Sequence, residues 1–120
     1  MGRVPSGKPK GRPKQFYKYE LPTGVVKVVR AQCADYERKE LAIESGTLTL
    51  DVRNNYIATN EAIRTALQSI EEACRLDFLA DIAENRGYDK SQVCWLFSIN
   101  AYYARKRKVL YDIAKGLCLI

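Results

Sequence analysis

The sequence predicts an all-α protein: a long antiparallel helical hairpin followed by a C-terminal helix-turn-helix, with a disordered basic arm in front. Three observations carry this. Apolar residues recur at steps of three and four over two long stretches, the spacing of one helix face. Helix-capping residues cluster after Gly87. The first nineteen residues combine three prolines and three glycines with no acid, and bury too little apolar surface to offset ordering. Residues 1–19 are therefore the arm, and 20–120 one helical domain, divided into a hairpin (24–87) and a helix-turn-helix (88–120).

In the first helical stretch, Thr23 to Ser45, Val26, Val29, Cys33, Tyr36 and Ile43 share a face, and Gly46 stands where a helix C-terminus favours a left-handed residue. Asp35 precedes Lys39 by four residues, the favourable order for a pair along a helix. "TLTLDV", residues 47–52, alternates like a strand but has no second strand to pair with, so it is expected to connect helices. From about Asn55 the period resumes through Tyr56, Ile63, Leu67, Ile70, Cys74, Phe78 and Ile82. Periodicity leaves open one helix of about 30 residues or two, broken around Ala73 to Leu76. Two such amphipathic segments should pack antiparallel, each covering the other's apolar stripe.

After Gly87, Asp89 is expected to cap a short helix, with Gln92 closing a capping box and Tyr88 stapling onto Val93. Ser98 then caps a longer helix from Ile99 to about Lys115, and Phe97 is placed to pack on Tyr102. A short helix, a tight corner and a longer helix are the parts of a helix-turn-helix. On a wheel of about 100° per residue, Ile99, Tyr103, Leu110, Ile113 and Leu117 form an apolar stripe. The opposite side presents Ala101, Ala104, Arg105 and Lys108, with Asn100 and Arg107 at its edges. Lys106 falls inside the stripe and must snorkel to a rim. Trp95, Phe97, Tyr102 and Tyr103 are core candidates, while Tyr111 lies further round the wheel.

Composition bounds the function. At 47% hydrophobic and 28% charged residues the chain is of globular type, and no apolar run approaches the roughly 18 residues that would span a bilayer. No secretory stretch is visible, so a cytoplasmic location is expected. Cys33, Cys74, Cys94 and Cys118 lie far apart and there is no histidine, so no metal site of familiar spacing arises; the cysteines read as small buried hydrophobes in a reducing compartment. With no histidine base, nucleophile elbow or phosphate-binding glycine loop, neither an enzyme nor a cofactor is expected.

The net charge of +6 is divided unevenly. Arg3, Lys8, Lys10, Arg12, Lys14 and Lys18 make the arm wholly cationic. Glu20 to Asp89 holds 8 basic and 13 acidic residues, whereas Lys90 to Ile120 holds 6 basic residues against Asp112 alone. Cations gathered at a flexible arm and at one end of a domain are the footprint of a polyanion binder. Double-stranded DNA is the expected partner. Arg105, Lys108 and Asn100 would face the major groove, Arg107, Lys90 and Lys106 would neutralise phosphates, and the arm would add a minor-groove or backbone contact. This reading requires the cations after Ser98 to stand open to solvent: Arg105 and Lys108 held against the chain's own carboxylates would remove its basis.

Lys10-Gly11-Arg12-Pro13-Lys14 resembles an AT-hook core, which implies an arginine lying in a narrow A·T minor groove. "ADYERKELAIESG" (34–46), "NEAIRTALQSIEEACR" (60–75) and "SINAYYARKRKVLYDIAKGL" (98–117) together resemble small phage-encoded transcription regulators of the ArpU or RinA kind, whose C-terminal part is similar to the helix-turn-helix of sigma factors. The resemblance implies a DNA-binding regulator of phage or prophage genes in a bacterial host cell, with its recognition helix from Ile99 onward. It departs in the very short first helix and in the lack of glycine between Phe97 and Ile99. The alternatives are a helical protein-interaction module, with RNA polymerase or a packaging subunit as partner, a phage DNA-packaging small subunit, and RNA binding through Tyr102 or Tyr111. The interaction module would carry an exposed apolar patch on the hairpin. No leucine-zipper seam of several heptads is present, and a homodimer through the long helices stays open.

Overall fold

A computed structural model of the protein describes residues 19–93 and 96–120. The arm residues Lys10, Arg12 and Lys14, together with Cys94 and Trp95, lie outside the described residues. The described residues form an all-helical protein with no strand, and none of these helices is long and apolar enough to cross a membrane.

Pro22 starts the first helix: it has φ −58°, and its carbonyl accepts the amide of Val26 at 3.1 Å. The stretch expected as one helix is two, α1 (Thr23–Ala34) and α2 (Tyr36–Ser45), jointed at Asp35 with φ −94° and ψ 1°. There the Asp35 carboxylate turns to Arg38, whose Nη2 donates to it at 2.7 Å, and this holds the carboxyl below its ordinary pKa. α2 ends as expected on Gly46, in the left-handed region at φ 72°.

Only residues 47–49 connect onward. Thr49 precedes α3 (Leu50–Ala66), so the second half of "TLTLDV" is the first turn of a helix. The long periodic stretch is broken, but earlier than Ala73. After α3 come two single 3-10 turns, Leu67–Ser69 and Glu72–Cys74, with Ile70 extended between them at φ −104° and ψ 143°, and then α4 (Arg75–Ala83). A broken helix leaves carbonyls without intrahelical donors. Arg75 supplies them: its Nε lies 3.0 Å from the Leu67 carbonyl and 2.9 Å from that of Ile70.

Where a short helix was expected after Asp89, the described residues up to Val93 form a 3-10 turn, Tyr88–Lys90, and a further turn at residues 92–93. The last helix, α5 (Ile99–Gly116), begins where the capping signal placed it, with Ser98 Oγ accepting the amide of Ala101 at 3.2 Å.

α2 packs on α3 and α1 on α4, the order a chain makes when it folds back on itself, and α5 lies across α3 and α1. Gly116 permits part of that crossing: a Cβ added there would stand 3.0 Å from Cβ of Ala62 on α3. The core takes Val29 and Cys33 from α1, Ile63 from α3, Leu67 and Ile70 from the corner, Phe78 and Ile82 from α4, and Tyr102, Val109 and Ile113 from α5. Asn60 of α3 is also fully buried, its amide donating to the Tyr36 carbonyl at 3.0 Å and to Glu40 at 2.8 Å, which fastens α3 to α2. Of the described cysteines, Cys33 and Cys74 are buried, and burial pushes the Cys33 thiol up to about 12. Cys118 is exposed, contrary to expectation, because the helix has ended and its residue sits at φ 61°.

Candidate nucleic-acid interface

The face that α5 turns to solvent depends on how the helix is rolled. Its buried residues are Tyr102, Val109, Ile113 and Ala114, while Ile99, expected to open the apolar stripe, is 53% exposed. The core line therefore runs 102, 109, 113, with Lys106 on it: the helix is rolled so that Tyr102 and Val109 are buried, Ile113 of the expected stripe stays buried, and Tyr103, Leu110 and Leu117 pack against the core only in part. Rolling the helix by this much moves Arg105 from the outer face to its flank.

A network set into the core fixes the roll. Asp81 of α4 is fully buried, and its Oδ2 accepts from Tyr102 Oη at 2.8 Å and from Ser91 Oγ at 2.6 Å, while Arg86 Nη1 stands 3.4 Å from Oδ1. Burial and then the neighbouring Asp81 raise the Tyr102 hydroxyl above its ordinary pKa. Tyr102 stacks on Phe78 at 5.4 Å between centroids, and Phe97 meets the same ring edge-on at 5.7 Å. Tyr88 Oη donates to the Phe97 carbonyl at 2.7 Å, and Tyr103 Oη accepts the Tyr88 amide at 3.0 Å. Tyr88 is thus tied to α5 through Tyr103 and the Tyr102 ring, and to the Phe97 carbonyl just before that helix.

The requirement set for the basic helix is not met. Arg105 Nη1 lies 3.0 Å from Glu71 Oε1, with its guanidinium 4.8 Å over the Phe97 ring. Lys108 Nζ lies 2.7 Å from Asp112 Oδ2, and that hydrogen bond raises the ammonium's pKa. Both cations are partly exposed, 38% and 43% by side chain, so neither is buried, but each already faces a carboxylate of its own chain. Asn100 is exposed in the first turn of α5, and Lys90 is exposed in its 3-10 turn. Tyr111 is held edge-on by Tyr19 at 5.2 Å.

Lys106 and Arg107 turn elsewhere. Lys106 is half-buried, donates to the Arg86 carbonyl and passes 5.9 Å from the Tyr102 ring. Burial lowers its pKa; nearby Asp81 opposes that shift, and the charge of Arg30 adds to it. Lys106 and Arg107 line a cleft of about 180 Å³ together with Arg30, Asn85, Tyr103 and Leu110. Arg30 and Asn85 had no signal in the sequence: one is the second of two cations, after Lys27, in an otherwise largely apolar helix, the other a residue after α4 with φ 55°.

A second surface lies between α1, α2 and α4. Cys33, Tyr36, Leu41, Leu76, Leu79 and Ala83 line an apolar groove of about 470 Å³, with Leu41 and Leu76 exposed at 61% and 75% and Glu37 and Glu40 among its polar residues.

No known protein family, curated protein or solved structure matches the chain.

Proposed function

We propose that the chain binds duplex DNA chiefly through the phosphate backbone, and regulates transcription of phage or prophage genes as the resemblance implies. The observation that supports this is the division of charge: the first nineteen residues hold six cations and no acid, and residues 90–120 are again cationic, while the segment between them is acidic. The reading is narrower than the sequence suggested. With Arg105 paired to Glu71 and Lys108 to Asp112, neither is carried forward as a reader of bases. Lys10, Arg12 and Lys14 of the arm, with Lys90, Lys106 and Arg107, are the proposed phosphate contacts, and Asn100 is the remaining candidate at a base edge. Fluorescence anisotropy of a labelled duplex against salt tests the proposal. With about five phosphates engaged, log affinity should fall with log salt at a slope near −4.5, and deletion of residues 1–18 should flatten it. Absence of duplex binding at low salt would end the reading.

The apolar groove supports a second reading, a helical interaction module for a protein partner such as RNA polymerase. Under it, Leu76→Asp abolishes co-sedimentation with polymerase, and reversing the charges of Arg105 and Lys108 leaves it intact.

A further inference from the structure

We propose that the cleft between α1, α5 and the C-terminal end of α4 is a phosphate site, in which Arg30 and Lys106 hold one phosphate group and Arg107 and Asn85 form its wall. Nε of Arg30 is shielded from solvent and finds no acceptor among the described residues, so the Arg30 guanidinium, part of the cleft's lining, has donor capacity that these residues do not satisfy. Lys106 donates one proton to the Arg86 carbonyl, and an ammonium carries three. The carboxylate whose charge acts on Lys106 is Asp81, whose Oδ2 is taken up by Tyr102 and Ser91 and whose Oδ1 faces Arg86. Three cations therefore line one small cleft, with no carboxylate among its lining residues.

The chemistry of the ligand follows from charge and size. Guanidinium and ammonium donors together favour an oxyanion with several acceptor oxygens. A cleft of about 180 Å³ is smaller than the pockets that enclose drug-sized molecules, so it takes one anionic group and not a whole nucleotide. Val26, Ile82 and Leu110 give the cleft an apolar side, and a less polar surrounding strengthens charge-assisted hydrogen bonds. The group has two sources, a backbone phosphate of nucleic acid or free phosphate. The first rests on the nucleic-acid reading above; the second does not.

The experiment is a titration of the full chain with sodium phosphate, against sodium chloride at matched ionic strength, following the side-chain Nε–H resonance of Arg30 by nuclear magnetic resonance. A saturable shift with phosphate and none with chloride is expected; no phosphate-specific shift would overturn the site. Arg30→Gln and Lys106→Gln should each weaken phosphate binding by at least about tenfold. Unchanged phosphate affinity in both variants would also overturn it, and the wild-type resonance carries the test if either variant fails to fold. A duplex titration separates the sources. A backbone phosphate moves the same resonance, and Arg30→Gln then reduces the salt slope by about 1. If the resonance answers to phosphate alone, the ligand is free phosphate, and this holds even where the duplex does not bind.

Discussion

Replacing Tyr102 by phenylalanine removes one oxygen from the middle of the fold and leaves every carbon contact in place. That oxygen donates at 2.8 Å to the fully buried carboxylate of Asp81, which keeps Ser91 Oγ at 2.6 Å and the more distant Arg86. A hydrogen bond to a charged group contributes roughly 1.5–3 kcal/mol, and here the acceptor stays buried with one donor fewer. We expect Tyr102→Phe to lose about 2 kcal/mol, which for an ordered domain of this size is roughly 8 °C in Tm. Urea unfolding followed by circular dichroism measures it. Asp81→Asn weakens the acceptor, so the same substitution in that background should lose only about 1 kcal/mol. The pH dependence has a definite sign. Burial and the Asp81 hydrogen bond raise the folded-state pKa of Tyr102. Its contribution is therefore complete below the unfolded value near 10 and falls as the pH rises beyond it, when the unfolded chain gives up the proton and the folded chain keeps it. The deficit of Tyr102→Phe relative to wild type should narrow above about pH 10. A variant within 1 °C of wild type at neutral pH, or an undiminished loss beside Asp81→Asn, would refute the view that this network sets the roll of α5.

Three further outcomes follow from local geometry. Ser98→Ala removes the cap of α5 and should lower stability by about 1 kcal/mol in urea unfolding. Gly116→Val thrusts a side chain onto Ala62, which a Cβ already meets at 3.0 Å, and should lose roughly 1–3 kcal/mol by the same assay. Arg105→Ala breaks a partly exposed ion pair with Glu71, and the change in unfolding free energy should stay within about 1 kcal/mol.

The proposed DNA contact now rests more on the arm and on cations facing a cleft than on the outer face of α5. Arg105 and Lys108 pair with carboxylates that are themselves partly exposed, so those pairs contribute little to stability, yet they occupy the geometry that base reading would need. The two pairs differ in how far they were legible. Asp112 stands four residues after Lys108, a helical neighbour visible in the sequence. Glu71 lies 34 residues from Arg105 and belongs to a corner that no local signal marks.

Helix identity was written in the chain itself. Of the positions chosen by period before Gly87, Val29, Cys33, Ile63, Leu67, Ile70, Cys74, Phe78 and Ile82 are buried and Val26, Tyr36, Ile43 and Tyr56 partly so, because spacing along a helix decides which side chains can share a face. Gly46 and Ser98 end and begin helices as expected, because the groups they satisfy lie within a turn of them. The joint at Asp35 and the corner from Leu67 to Cys74 contain neither glycine nor proline. The corner is held by Arg75 on the freed carbonyls and by Ile70 seated in the core. The same holds for the roll of α5 and the cleft at Arg30: Asp81, Tyr102, Ser91 and Lys106 are scattered in sequence and meet only when α1, α4 and α5 pack. The sequence by itself determined which segments coil and where several of them stop, since those are contests between neighbours along the chain. Tertiary structure alone decided that Arg105 meets Glu71 and that Arg30 and Lys106 face the cleft, since that depends on distances across the fold that no spacing encodes.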